Sequence, residues 1–278
     1  MDKSSSWRYF LRLCFDLADL LFHGVRLSEV DLVFSRQNDL GAVFGWLGEG
    51  IVVKTVFEML PLSISFTALA WHALITVWVG WYAVQKSFIA ASAWSTLIVS
   101  AAIGVCYGLW AIMWWNEPDG GVSTISEFAL FSAVTTAFVI LAYGLAHWSA
   151  KEPFVPNRWL VLLSLSVFAI LFLVSVPAIP ISVIVLPVLL CLAYVGLRQN
   201  RLNEREGSLL DTFSGDIPIT KYLSLLAIPA MGIIVYAIAI SLGLRWQTNW
   251  VLYLITTPLG FILFGMNLYK SLRPKVNS

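Results

Sequence analysis

The fold is decided by residues 159–197, which read WLVLLSLSVFAILFLVSVPAIPISVIVLPVLLCLAYVGL. These 39 residues contain no Asp, Glu, Lys or Arg. A helix that crosses a bilayer needs about 20 apolar residues, so the stretch is too long for one crossing and suits two. Pro177 and Pro180 interrupt the helical pattern near the middle. The stretch therefore predicts two membrane-spanning helices, at about 159–176 and 180–197.

The rest of the chain repeats this character. Further apolar stretches lie at about 62–84, 88–115, 127–148, 222–244 and 249–269. Of the 278 residues, 59% are apolar and 12% are charged, whereas soluble domains carry roughly 25% charged residues. A soluble fold of this length could not bury so much apolar surface. The composition predicts an all-α, polytopic membrane bundle of about seven transmembrane helices.

The loops indicate the orientation of this bundle, because cytoplasmic loops carry an excess of Lys and Arg. The loops on one side hold ten basic residues, and the opposite loops hold Arg245. The ten are Lys86, Lys151, Arg158, Arg198, Arg201, Arg205, Lys221, Lys270, Arg273 and Lys275. We therefore expect a multi-pass integral membrane protein whose C-terminus is cytoplasmic.

Residues 1–61 differ from the bundle at 62–278 because they mix acidic, basic and apolar residues. Residues 7–23 have leucines at helical spacing with charged residues between them, which predicts an amphipathic helix lying in the membrane interface. Residues 40–60 fit a second interfacial helix or an eighth span. The charges of Glu49, Lys54 and Glu58 make a span costly, so the interface is favoured.

Small residues at helical spacing predict close helix packing in two of the spans. The second span carries Ser100, Gly104 and Gly108, and the third carries Ala129, Ala133 and Ala137. The partner of each face can belong to the same chain or to another chain. Packing within the chain is the favoured interpretation.

The chemistry inside the spans is sparse. No Asp, Glu, Lys or Arg lies within the seven stretches except Glu127 at an edge. Proton relays and ion-coupled carriers need such groups at depth, and hydrolases need a nucleophile with a base or metal ligands. The three cysteines show no metal-ligand spacing, and a net charge of +1 gives no reason to expect nucleic-acid binding. We therefore do not favour an enzyme, we predict no metal site, and the cofactor, if any, is not defined.

His72 is the one ionisable residue well inside a predicted span. A neutral histidine bonded to a neighbouring hydroxyl or carbonyl is the simplest interpretation. His147 lies some ten residues deeper, about 15 Å along a helix, so the two cannot share one haem iron. Contact of His72 with a ligand is the alternative.

The outer end of the second span reads WAIMWWNEPDGG over residues 110–121. Tryptophans at the outer membrane interface are typical of an aromatic belt. The residues that follow them are typical of a turn. The alternative is a ligand platform of Trp110, Trp114 and Trp115. The stretch resembles the tryptophan-rich outer loop of cytochrome c maturation proteins, which handles haem. That family has Asp where this chain has Asn116, and it has flanking histidines that this chain lacks, so we do not assign the family.

Each of the last three spans contains a proline, namely Pro187, Pro229 and Pro258. Proline frees a carbonyl in a lipid-embedded helix, and the resulting kink can shape a cavity or a hinge. A static bundle with kinked helices is the alternative.

Two functional hypotheses follow. The first is a non-catalytic integral membrane subunit or assembly factor of a larger complex, with the lipid bilayer and a membrane protein as partners. The second is a carrier or binder of a small apolar molecule such as a lipid, quinone or pigment. Its tentative ligand contacts are His72, Trp110, Trp114, Trp115, Pro229 and Pro258.

Overall fold

The computed structural model describes residues 38–90, 92–116, 123–149, 157–202 and 216–272. Over these ranges the chain forms helices joined by turns, without a strand. The predicted all-α membrane helix bundle is therefore confirmed. In chain order the helices are α1 (residues 38–52, of which Gly48–Val52 is π-helical), α2 (Ile64–Ile89), α3 (Ala93–Ala111), α4 (Ile125–Ser149), α5 (Arg158–Ser175), α6 (Ser182–Leu202), α7 (Ile219–Ser241) and α8 (Thr248–Leu272).

Besides Gly48–Val52, three segments depart from regular α-helical geometry. A 3₁₀ turn, Thr55–Phe57, lies between α1 and α2, and Ile112–Asn116 continues α3 in 3₁₀ geometry. The Ile64–Ala83 part of α2 has the wider hydrogen-bond spacing of a π-helix, as in the bond from Val84 N–H to the Val79 carbonyl.

Six of the described helices are long and apolar enough to cross a membrane: α2, α3, α4, α5, α7 and α8. The apolar part of α6, Ser182–Arg198, is shorter. All seven predicted stretches thus correspond to a helix, and six of these reach the length of a span. The protein is a multi-pass membrane protein by helix length and composition.

The break predicted at the two prolines separates α5 from α6. The carbonyl of Ser175 accepts hydrogen bonds from the N–H groups of Ala178 and Ile179, which closes α5 with a tight turn. Pro177 and Pro180 lie within this turn, where neither ring has to fit inside a regular helix. The 159–197 stretch therefore forms two separate helices, as the sequence predicts, and α5 alone reaches the length of a span.

The most extensive contact between helices of the described chain joins α3 to α7. It depends on glycine, because a Cβ at Gly104 would lie 2.5 Å from the carbonyl oxygen of Ile228. A Cβ at Gly108 would lie 2.6 Å from the carbonyl oxygen of Gly232. The small-residue face of the second span therefore packs within the chain.

The alanine face of α4 has a different environment. The buried residues of α4 are Phe128, Ser132, Thr136 and His147. Ala133 and Ala137 are exposed on the opposite side. Ala129, the third residue of the predicted face, is half-buried, so the face is only partly covered within the described chain.

The helix α1 packs antiparallel to α2. A Cβ at Gly41 would lie 2.6 Å from the Cα of Ala73, and one at Gly45 would lie 3.0 Å from the Cα of Ala68. Ala42 and Trp46 of α1 belong to a hydrophobic core that also contains residues of α2, α6 and α8. Residues 1–37, which include the predicted amphipathic helix, lie outside the described ranges. The division into 1–61 and 62–278, and whether residues 40–60 cross the membrane, stay predictions.

The helix α5 is the least integrated of the spans. Only 6% of its apolar window is buried within the chain, compared with 33% for α2. Phe168 and Phe172 make its contact with the core at α1. The rest of its apolar surface faces the surroundings of the molecule.

Candidate functional site

A group of aromatic side chains joins α2, α3 and α8, and we call it the aromatic cluster. Its members are Phe66 and Trp71 of α2, Tyr107, Trp110 and Trp114 of α3 and its 3₁₀ continuation, and Tyr253 of α8. The ring centroids are 5.3 Å apart for Trp71 and Trp110, 5.0 Å for Trp110 and Trp114, and 4.7 Å for Phe66 and Tyr253. All three pairs meet edge to face, the arrangement favoured by aromatic quadrupoles.

Two polar atoms of the cluster have no hydrogen-bond partner among the described residues. They are Nε1 of Trp110 and Oη of Tyr253, and both are buried. An unpaired buried polar atom costs about 1–3 kcal/mol. The indole N–H is a donor only, and the phenol can donate as well. The cluster can therefore donate hydrogen bonds to an acceptor atom on an apolar molecule.

Three other polar groups around the cluster are paired with protein groups. Thr248 Oγ1 donates to the carbonyl of Trp110 at 2.7 Å. Ser132 Oγ donates to Tyr107 Oη at 3.3 Å. Tyr236 Oη donates to the carbonyl of Ser123 at 2.8 Å.

A second polar group lies where α1 meets α2, and we call it the His72 site. His72 Nε2 lies 2.9 Å from Glu49 Oε1. Thr55 Oγ1 donates to the other carboxylate oxygen of Glu49. Because an ionised carboxylate only accepts, Nε2 carries the imidazole proton and donates it to Glu49. In the neutral tautomer that donates from Nε2, Nδ1 carries the lone pair, and this atom is buried with no hydrogen-bond partner among the described residues.

Glu49 is the residue of the His72 site that reasoning from the sequence missed. The simplest prediction for His72 was a bond to a hydroxyl or carbonyl, and the structure gives it the carboxylate of Glu49. Glu49 lies outside the predicted spans, so its charge was assigned to the membrane surface. The available signal is that Glu49 has apolar neighbours on both sides within the stretch 40–60, since a carboxylate among apolar residues needs a partner.

The tentative ligand contacts lie in separate places. Trp110 and Trp114 lie together in the aromatic cluster, whereas His72 faces Phe44 and Glu49 of α1. The backbone of Trp115 continues the 3₁₀ turn, and its side chain lies outside what the structure describes.

The prolines of the last three spans also lie apart. Pro229 is buried in α7, just after the break between Ile219–Ser224 and Ala227–Ser241. Pro187 and Pro258 are exposed, on α6 and α8. The cavity or hinge that the prolines suggested stays a prediction.

A third polar group joins α2, α4 and α7. His147 Nε2 donates to Gln85 Oε1 at 2.7 Å, and Tyr222 Oη donates to His147 Nδ1 at 2.5 Å. Both ring nitrogens of His147 are thus used by protein groups, in contrast to His72. Within the described ranges, no group of three or more His, Cys, Asp or Glu side chains is placed to hold a metal ion.

Comparison with known proteins gives no guide to the interpretation of these sites. No family model matches the chain, and neither a curated protein nor a solved structure is found to be similar to it. The fold defines the class, a multi-pass helical membrane protein, and the function has to be argued from the sites.

Proposed function

We propose that the protein binds a small, largely apolar molecule at the aromatic cluster. The observation that carries this proposal is the pair of buried atoms without a partner, Trp110 Nε1 and Tyr253 Oη. They are linked by an unbroken series of ring contacts through Trp71 and Phe66. Ligand sites characteristically combine apolar walls with a few polar groups that set orientation.

The polarity of the two atoms defines the ligand further. Trp110 can only donate a hydrogen bond, so the ligand needs an acceptor such as a ketone, quinone or ester carbonyl. The rings of the cluster supply flat apolar surfaces, which suit a planar or polyene molecule better than a branched one. A quinone or a pigment that carries a carbonyl satisfies both requirements.

The test is to purify the tagged protein from its own host in mild detergent and to extract the bound small molecules. An absorption spectrum and mass spectrometry of the same sample should reveal one carbonyl-bearing apolar molecule near one equivalent per chain. Trp110→Phe keeps the ring and removes the N–H, so it should lower the occupancy. A full-length, folded protein that carries no such molecule would contradict the proposal.

A second function, that of an integral subunit or assembly factor, is favoured by a different observation. Ala133 and Ala137 present small residues on the exposed face of α4, and α5 has little contact with its own chain. Small residues let helices of two proteins approach closely in lipid. A stoichiometric membrane protein in the same purification would support this function.

A further inference from the structure

The His72 site is chemically different from the aromatic cluster. The cluster offers hydrogen-bond donors, whereas Nδ1 in the neutral Nε2–H tautomer of His72 is an acceptor. The Glu49 carboxylate, whose two oxygens accept from His72 and Thr55, stands behind this lone pair. A carboxylate that accepts from one imidazole nitrogen orients the ring and fixes which nitrogen carries the proton.

With His72 in its neutral tautomer, the Glu49 carboxylate has no cationic partner among the described residues. Neither Lys nor Arg among them forms an ion pair with Glu49. The side chains of His72 and Glu49 are only 23% and 18% exposed, so water screens the carboxylate incompletely. The site should therefore prefer a cation that can also donate a hydrogen bond.

A metal ion fits this requirement poorly, since tetrahedral metal sites use three or four protein ligands. Within the described ranges no third His, Cys, Asp or Glu joins the pair. A primary ammonium group needs no further ligand, because it brings its own N–H donors and a positive charge.

Phe44 of α1 lies beside the imidazole of His72. The Phe44 ring lies edge-on to the imidazole, with centroids 5.2 Å apart. This ring is 55% exposed, so it can turn away without leaving a cavity in the core. An aromatic ring at this position also offers its face to an arriving cation.

We propose that Glu49 and His72 form a binding site for an organic primary ammonium group. The ammonium donates a hydrogen bond to His72 Nδ1, and the Glu49 carboxylate offsets its charge. The source is a free amine or the headgroup of an ethanolamine lipid, which carry the same group. The site is separate from the aromatic cluster and does not depend on the function proposed above.

The probe is octylammonium, added to the full-length protein in nanodiscs of phosphatidylcholine. Octyltrimethylammonium has the same charge and no N–H group, and octanol has a donor without a charge. We expect octylammonium to raise the melting temperature saturably and the other two to have little effect. Equal effects of octylammonium and octyltrimethylammonium would overturn the proposal, because both cations would then act through charge or partitioning alone.

The variants isolate the carboxylate. Glu49→Gln keeps the shape and removes the charge, and it should weaken octylammonium binding about tenfold or more. Glu58→Gln changes an exposed carboxylate in the connection between α1 and α2, and it should leave octylammonium binding unchanged. Trp110→Phe should also leave it unchanged, which separates this site from the aromatic cluster. Undiminished binding to folded Glu49→Gln would show that the carboxylate is not involved.

NMR of the imidazole nitrogens tests the proposal in the protein with Glu49 intact, so it does not require a folded Glu49 variant. The chain has three histidines, so ¹⁵N-labelled imidazoles can be assigned with His72→Gln. Nδ1 of His72 should be unprotonated in the free protein, and its resonance should move on addition of octylammonium. A protonated Nδ1, or no movement at saturation, would refute the assignment. Phosphatidylethanolamine is then added to the nanodiscs as a competitor. If it competes with octylammonium, the lipid headgroup is the source of the ammonium group, and if it does not, the source is a free amine.

Discussion

The ammonium nitrogen of Lys221 donates to the carbonyl oxygen of Ser87 at 2.8 Å, which ties the first turn of α7 to the last turn of α2. It also donates to the carbonyls of Ala90 and Ser92, at 2.5 and 3.0 Å. These carbonyls lie at the end of one helix and just before the next, where intrahelical donors run out. A cation at a helix C-terminus also interacts favourably with the helix dipole.

We predict that Lys221→Met destabilises the protein. The substitution retains most of the apolar stem and removes the donor, which should lower the free energy of unfolding by on the order of 2 kcal/mol. Thermal unfolding in one detergent measures this effect. Arg198→Met removes an exposed cation and should leave the melting temperature nearly unchanged. Equal effects of the two substitutions would mean that net charge, rather than the three bonds, determines the result.

The contact between α3 and α7 predicts a contrast between two glycines. At Gly104 an added methyl group would meet the Ile228 carbonyl at 2.5 Å, so Gly104→Ala should cost about 1–3 kcal/mol through overpacking. At Gly144 of α4 a Cβ would meet nothing within 4 Å. Gly144→Ala should therefore be neutral or stabilise by up to about 1 kcal/mol, because alanine favours helix. Thermal unfolding of both variants in the same detergent tests the contrast, which would fail if Gly104→Ala were neutral.

The aromatic cluster predicts that one substitution lowers ligand occupancy and leaves the stability of the ligand-free protein nearly unchanged. Tyr253→Phe removes the buried hydroxyl and keeps the ring, so bound ligand should fall about tenfold. The ligand-free protein should lose little stability, since no hydrogen bond within the described residues is broken. Trp94→Phe alters a tryptophan that is 69% exposed and serves as the control. A large loss of stability in ligand-free Tyr253→Phe would indicate a structural role for the hydroxyl instead.

The exposed face of α4 predicts an effect on assembly without an effect on folding. Ala133→Leu and Ala137→Leu add bulk where the described chain has no packing contact to disturb. If a membrane partner covers this face, the variants should retain the monomer's melting temperature and lose the co-purifying protein. Phe138→Ala alters an exposed position on another side of α4 and should retain the partner. Retention of the partner by both leucine variants would remove α4 as its contact surface.

The predicted orientation can be tested with engineered cysteines in a background without the native ones. Gln247→Cys lies in the turn before α8, and Asp216→Cys lies just before α7. If the C-terminus is cytoplasmic, a membrane-impermeant maleimide applied to intact cells should label Gln247→Cys and leave Asp216→Cys unlabelled until the cells are opened. The reverse labelling would invert the topology.

The sequence by itself determined the class of this protein and the position of its helices along the chain. Length and apolar composition are local properties, and lipid requires each crossing segment to satisfy its own backbone. The seven stretches and the break at Pro177 and Pro180 could therefore be predicted from residues 62–269 alone.

The neighbours of each helix were decided only by the tertiary structure. These helices are apolar on nearly every side, and lipid tails are as apolar as leucine, so composition does not indicate which face meets another helix. Gly104 and Ala133 lie in similar small-residue patterns, yet one is packed against α7 and the other is exposed. The pairing of Glu49 with His72, 23 residues apart, likewise depends on how α1 folds back along α2. Such contacts follow from helix rotation and lateral order, which depend on the fit of side chains from distant parts of the chain.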